Sequence, residues 1–309
     1  MHGHVELHGH RGARGLRPEN TLPGLAYALE TGVDALEFDV TLTADDRLIL
    51  SHDLTVSPVT TADTRPATPG DPMYPYVGKP IRRLTLAQLH TLEAGVRHPT
   101  RDNDPFAATQ LPIPDTRMPT LGAVLALVAA YSADKVRLHI ELKSDPTQPD
   151  LSPDPHRFTD LVLTELDRHQ RLSTSAILSF DWRLLTLTRE AVPHRVALIE
   201  SDTIDPRWLA GLNPHDFASD LPTMATAINA TAFSPDHILI DEPLMTSAAT
   251  HNLPVVAWTV NSPDHAAQLL DLGVRGIVTD YPNRMRELWT ARGLPLPPQL
   301  RALRSAALT

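Results

Sequence analysis

Two short segments put carboxylates at strand spacing. In Ala35-Leu36-Glu37-Phe38-Asp39-Val40 alternate residues share a face, so Glu37 and Asp39 point one way while Leu36, Phe38 and Val40 point the other. Two carboxylates a few ångströms apart resist joint ionisation unless a cation neutralises them, and a hard divalent ion with oxygen ligands does this naturally. His139-Ile140-Glu141-Leu142-Lys143 repeats the device, with His139, Glu141 and Lys143 on one face. Glu141 is a candidate third ligand and Lys143 a candidate partner for an anion. The plainer alternative is a Glu141–Lys143 ion pair that fills an interior layer.

Two histidines accompany the acids. His10 lies just past a first apolar strand, in His10-Arg11-Gly12, and His52 just past the short run Leu48–Leu50, in Ser51-His52-Asp53. Imidazoles titrate near neutrality and suit proton transfer to and from phosphoester oxygens. Neither sits beside a serine elbow or a phosphate-cradling glycine loop, which argues against an acyl-enzyme or a nucleoside triphosphatase. Arg11 can fork onto phosphate oxygens. Trp258 points oppositely to Ala257 and Thr259, either walling a pocket or filling the core. In Glu19-Asn20-Thr21, Asn20 or Thr21 can cap the helix that follows and Glu19 can brace a functional side chain. His2, His4 and His8 add histidine density at the start, able to bind stray metal but without an assigned role, and the remaining histidines are scattered without ligand spacing.

These residues need a frame that gathers strand ends. Strand patterns fall at Val5–His8, Ala35–Val40, Val136–Leu142, Ala176–Ser179, Arg195–Ile199, either Phe217–Ser219 or Thr231–Ser234, Val255–Val260 and Gly276–Thr279. Helical patterns lie between them, at Leu22–Thr31, Leu121–Ala130, Phe158–Gln170, Trp182–Ala191 and Pro263–Leu272. This alternation is that of a TIM (β/α)8 barrel in the α/β class, whose active sites form at the C-terminal strand ends. A doubly wound open sheet is the alternative, but no glycine fingerprint follows the first strand. One segment, Leu54–Pro119, breaks the rhythm and predicts a long insertion after the second strand, rich in Pro, Thr and Asp. Its helical pattern, Thr85–Glu93, offers Leu86, Leu89 and Leu92 for docking on the barrel rim. The insertion is expected beside the active-site mouth, as a wall limiting the pocket to small, water-soluble alcohol groups.

Composition narrows the class. Across 309 residues, 42% are hydrophobic, enough for one full-sized domain spanning 1–309. The absence of cysteine excludes disulfides, thiolate nucleophiles and Cys-ligated zinc. The net charge of −10, without any Lys/Arg run, argues against nucleic acid as partner. The longest apolar run, Ala123–Tyr131, is too short to span a bilayer. With no charged-then-apolar leader, a cytoplasmic location is the default expectation. Oligomeric state is not encoded in any of these features.

The pieces His10-Arg11-Gly12, Glu19-Asn20-Thr21, Glu37-Phe38-Asp39, His52-Asp53, Glu141-Leu142-Lys143, Trp258-Thr259-Val260-Asn261 and Thr279-Asp280-Tyr281-Pro282 occur in one order along nearly the whole barrel. Together they resemble the glycerophosphodiester phosphodiesterase family. The resemblance implies cleavage of glycerophosphodiesters to sn-glycerol 3-phosphate and an alcohol, with one divalent ion, Mg2+ or Ca2+. It implies Glu37, Asp39 and Glu141 as metal ligands, and His10 and His52 as the acid–base pair. Arg11 and Lys143 correspond to phosphate-contacting positions, with Trp258 as a further substrate-binding residue. His8 departs from the aliphatic residue usual there and predicts added polarity beneath the site if it faces inward. Two rivals stand beside this reading. A barrel phospholipase of the sphingomyelinase D or phosphatidylinositol-specific kind should expose an apolar or basic patch at its mouth. A non-catalytic barrel that binds phosphorylated ligands would have no need of all five acid and histidine positions.

Overall fold

The computed structural model describes residues 4–100 and 102–303, so His2 lies outside the described residues. Eight parallel strands close into a barrel: β1 (Glu6–Gly9), β2 (Ala35–Leu42), β4 (Arg137–Leu142), β5 (Ser175–Ser179), β6 (His194–Ile199), β7 (Ala232–Pro235), β8 (Val256–Ala257) and β9 (Gly276–Thr279). A short β3 (Leu48–Leu50) runs antiparallel to β2 outside the barrel order. β9 pairs with β1, and single bridges, Phe233 to Val255 and Asp236 to Trp258, join β7 to β8 and complete the ring.

Around the ring lie α1 (Leu22–Thr31), α3 (Leu121–Ala130), α4 (Pro155–Arg168), α5 (Trp182–Thr188), α6 (Leu221–Ala227), α7 (Glu242–Thr250), α8 (Pro263–Leu272) and α9 (Pro282–Ala291), while α2 (Leu86–Leu89) belongs to the insertion. Thr21, Thr120, Asp154, Asp181, Asp220, Asp241 and Ser262 cap helices by accepting hydrogen bonds from first-turn amides. Outward residues of β2, namely Leu36, Phe38 and Val40, are fully buried against the helices in the main core.

Of the two positions open for the sixth barrel strand, Thr231–Ser234 is close to the observed β7. Phe217–Ser219 is not a strand, because Ala218 and Ser219 turn into the left-handed region (φ 50° and 60°) ahead of the Asp220 cap. The seventh is shorter than Val255–Val260, since beyond Ala257 the chain keeps only isolated contacts, including Val260 N–H to Val278 O.

The barrel interior is divided. Toward β5 and β6 it is apolar, with Ala176, Leu178, Val196 and Leu198 packed together under Phe180, Ala232 and Trp258. Toward β1, β2 and β4 it is polar. His8 does face inward: it is fully buried, meets His139 edge to face at 4.4 Å and bonds Glu6 at 2.9 Å.

The insertion has a core of its own. Ile49, Val56, Tyr76, Ile81, Leu84, Leu89, Leu92, Ala94 and Met118 form a separate buried cluster, with Leu86 packed at its edge. The expected helix Thr85–Glu93 is only α2, one turn closed by a Thr85–Gln88 capping box. Its leucines therefore fill the insertion core instead of docking on the barrel rim. Docking is done by Phe106, which lies between the guanidinium groups of Arg14 and Arg97 at 4.7 and 5.0 Å, and by Arg97 pairing with Glu19 at 3.0 Å.

Candidate active site

The register of β2 and β4 builds the acid cluster. Asp39 is paired with Glu141 and Glu37 with His139, so Glu37, Asp39 and Glu141 stand on one face of two neighbouring strands. All three are buried, and one carboxylate oxygen from each lies within 4.8 Å of the others. Burial, then the charges of Asp39 and Glu141, pushes the Glu37 carboxyl well above the usual range. Glu141 is pushed up to about 7 by burial and Asp39, against the pull of Lys143. Asp39 goes the other way: burial would raise it, but Arg11, then Lys143, hold it below the ordinary carboxylate range.

The basic partners are already engaged. Lys143 Nζ donates to Glu141 at 2.6 Å and lies 3.8 Å from Asp39, so the ion pair foreseen as the plainer alternative exists within the acid cluster. Arg11 contacts Asp39 at 3.1 Å and donates to Glu19 at 2.7 Å. Its own amide donates to Glu37 at 2.8 Å, an approach made with φ at 47°, in the left-handed region that a non-glycine residue seldom enters. Gly12 follows at φ 85°, where an added Cβ would press on the backbone of Gly24 at 2.7 Å. Asn20 binds both the carboxylate and the amide of Asp39, leaving Thr21 as the cap of α1.

Three buried carboxylates outnumber the two cations among them, and Asp39 Oδ1 has no hydrogen-bond partner. The donors are oxygen only. This set fits a hard divalent ion better than zinc.

His10 and His52 are matched in one respect. Each Nδ1 meets an aspartate, His10 with Asp280 at 2.7 Å and His52 with Asp53 at 2.8 Å. Since a carboxylate only accepts, Nδ1 carries the proton and Nε2 is left with its lone pair. His10 Nε2 lies 3.9 Å from Glu37. Burial, with Arg14 second, lowers His10 to about 4 against the opposing charge of Asp280. Burial, followed by Arg11 and Lys143, lowers His52 to about 4.

Asp280 has no counterpart in the sequence-derived set of site residues. It is fully buried and also accepts from Arg14, at 2.7 and 3.0 Å, and from Asn261, at 2.7 Å. A signal was available: Asp280 directly follows β9, and closing the barrel puts β9 beside β1, with Thr279 against Gly9. Phe180 and Glu200, from the loops after β5 and β6, were likewise not singled out.

Two cavities open at this end. One of about 570 Å3 brings together His10, His52, Glu37, Glu141, Lys143 and Trp258. The other, about 300 Å3, lies between the barrel and the insertion and is reached by Arg11, Asn20 and His52. The insertion walls the smaller cavity through Ser57, Thr60 and Arg97, and supplies only Leu54 to the larger. No helix among the described residues is long and apolar enough to cross a membrane.

The sequence model of the glycerophosphoryl diester phosphodiesterase family matches residues 10–284. A Mycobacterium tuberculosis protein named probable glycerophosphodiester phosphodiesterase 1 is 28% identical, over 92% of each chain. A crystal structure from Silicibacter pomeroyi, named as a candidate glycerophosphoryl diester phosphodiesterase, superposes with a TM-score of 0.81. It is 29% identical and covers 94% of this chain and 95% of its own. An Oleispira antarctica phosphodiesterase solved with its product sn-glycerol-3-phosphate has the same fold. Its TM-score is 0.68 at 21% identity, over 92% of this chain and 96% of that one.

Proposed function

The chain belongs to the glycerophosphoryl diester phosphodiesterase family and is an enzyme of that class, and from this premise we propose how its own residues divide the work. The reaction is hydrolysis of a glycerophosphodiester to sn-glycerol 3-phosphate and an alcohol. The observation that carries the reading is the meeting, at one cavity, of two aspartate-braced histidines with Glu37 and Glu141, two members of the buried cluster that Asp39 completes. The product named for the Oleispira antarctica relative supports the same cleavage.

Glu37, Asp39 and Glu141 hold one divalent ion, Mg2+ or Ca2+. When bound, the ion polarises the phosphoryl oxygens and lowers the pKa of a hydroxyl nucleophile. Arg11 and Lys143 set positive charge beside the phosphate, Arg11 fixed by Glu19 and Asp39, Lys143 by Glu141. Of His10 and His52, one accepts the proton of the attacking hydroxyl through Nε2, and the other delivers a proton to the departing alkoxide. The new P–O bond forms as the ester P–O bond breaks, and the alcohol leaves neutral. Both rings are neutral in the unliganded site, which leaves Nε2 free to accept a proton, and a bound phosphate anion raises their proton affinity. Trp258 bounds the substrate, with its indole N–H anchored to Ser234 O at 2.8 Å.

The test is release of sn-glycerol 3-phosphate from glycerophosphodiesters, followed by a coupled dehydrogenase. A nitrophenyl diester needs no acid and should rescue only the variant lacking the acid histidine, His10→Ala or His52→Ala. Equal rescue of both, or of neither, would remove the acid–base division.

A further inference from the structure

The insertion meets the loop after β1, and the contact leads on to that loop's two working side chains, His10 and Arg11. Segment 104–111 lies along this loop. Gln110 Nε2 donates to Arg14 O at 2.7 Å, and the Leu111 amide donates to Leu16 O at 3.0 Å. Thr109 meets the hydroxyl of Tyr281 at 3.1 Å. Phe106 is buried in this seam, its amide held by Asp104 at 2.9 Å, and it lines neither cavity of the barrel mouth.

Two guanidinium groups face the Phe106 ring, Arg14 at 4.7 Å and Arg97 at 5.0 Å from its centre. Each goes on to an acid that holds a working residue. Arg14 donates to both oxygens of Asp280, and Asp280 fixes His10 Nδ1 at 2.7 Å. Arg97 donates to one oxygen of Glu19 at 3.0 Å, and the other oxygen fixes Arg11 at 2.7 Å. A ring face attracts a cation through its quadrupole and, being flat and rigid, favours a planar guanidinium stacked on it. One ring therefore sets the placement of two arginines and, through them, of His10 and Arg11. The loop needs such outside support. Arg11 and Gly12 lie in succession in the left-handed region, at φ 47° and 85°, a shape that the backbone at Arg11 does not favour by itself.

Resting on the phosphodiesterase reading above, we propose that Phe106 is a positioning residue of the reaction. From outside both cavities its ring aligns His10 through Arg14 and Asp280, and Arg11 through Arg97 and Glu19. The insertion then serves turnover as well as walling the smaller cavity.

The experiment measures kcat and KM per folded molecule on the glycerophosphodiesters of choline, ethanolamine and glycerol. It compares the wild type with Phe106→Leu, Phe106→Met and Leu89→Ala. Leucine and methionine keep apolar bulk in the seam and remove the ring face. Leu89 is fully buried in the insertion's separate core, so Leu89→Ala loosens the insertion and keeps the ring. Displacing reacting groups by about an ångström costs on the order of a hundredfold, so both Phe106 variants should lose about tenfold or more in kcat with KM within a few-fold. Leu89→Ala should melt at a lower temperature and keep kcat within about threefold of wild type. Wild-type kcat in a folded Phe106 variant overturns this inference and leaves the phosphodiesterase reading standing. An equal loss of kcat in Leu89→Ala also overturns it, since turnover would then follow the general order of the insertion and not the ring. No hydrolysis of any of the three diesters by the wild type overturns the parent reading and this one together.

Discussion

Replacing Asp280 with Asn separates a histidine that is held from one that is merely present. Asp280 is fully buried and fixes His10 through Nδ1 at 2.7 Å, while itself held by Arg14 and Asn261. Asparagine keeps the shape and one acceptor oxygen but offers an amide that can turn its N–H toward Nδ1. His10 would then carry its proton on Nε2, the nitrogen that must accept one. The Nε2-unprotonated form would become a minor species, and the share of catalysis owed to His10 would be lost with it. General acid–base catalysis contributes on the order of a hundred- to ten-thousand-fold, so kcat should fall by about a hundredfold or more, about 2.7 kcal/mol of barrier. Arg14 would also lose a charged partner. Breaking a buried pair costs about 3–5 kcal/mol, and the retained oxygen places this case at or below the lower end. The assay is sn-glycerol 3-phosphate release per folded molecule, the folded fraction fixed by a thermal melt followed by circular dichroism. A positioning role lowers kcat while leaving KM within a few-fold. A folded Asp280→Asn enzyme with kcat within about threefold of wild type would refute the reasoning, and His10 would not act through Asp280.

Glu141→Gln should abolish metal-stimulated activity while the protein stays folded, because the cluster loses one of three acids and Lys143 its 2.6 Å partner; calorimetric titration with Mg2+ or Ca2+ reads the lost binding directly. Single His10→Ala and His52→Ala variants should each lose about a hundredfold or more in turnover on a natural diester, and small losses in both would make the pair structural. Phe106→Ala should loosen the insertion, since the ring is buried between Arg14 and Arg97; faster limited proteolysis within 60–115 is the readout, and unchanged cleavage would show that docking rests elsewhere. Trimming Thr60–Asp115 to a short turn should raise relative rates on bulkier or acylated diesters, because this segment walls the smaller cavity. A trimmed, folded enzyme with unchanged substrate ranking would remove the insertion from selectivity.

Much of the site is legible because strand periodicity is local. Glu37 and Asp39 share a face by alternation alone, and the apolar partners Leu36, Phe38 and Val40 fix which face is inside. Glu141 and Lys143 follow by the same rule. Contacts made by barrel closure are harder to read, since Asp280 reaches His10 across 270 residues and only the β1–β9 pairing puts them together. Phe180 and Glu200 lack a local signature for another reason: an aromatic or an acid one residue past a strand is ordinary until the cavity is known. The insertion was misread where composition was used in place of packing. Its local helical pattern placed Leu86, Leu89 and Leu92 on the barrel rim, yet Leu89 and Leu92 are buried with Val56, Tyr76, Ile81 and Leu84, which are distant in sequence. Strand ends also drifted where side chains at the mouth set their own geometry, as at Trp258 and Asn261.

In the proposed mechanism three buried carboxylates hold an ion without which the two histidines do not turn over a glycerophosphodiester. The most direct measurement is the rate of sn-glycerol 3-phosphate release by chelator-stripped enzyme as Mg2+ or Ca2+ is added back. Release should be negligible after stripping, and activity should return saturably with one ion per chain. Full activity in excess chelator would contradict it, and so would a return of activity in Glu141→Gln at the same metal concentration.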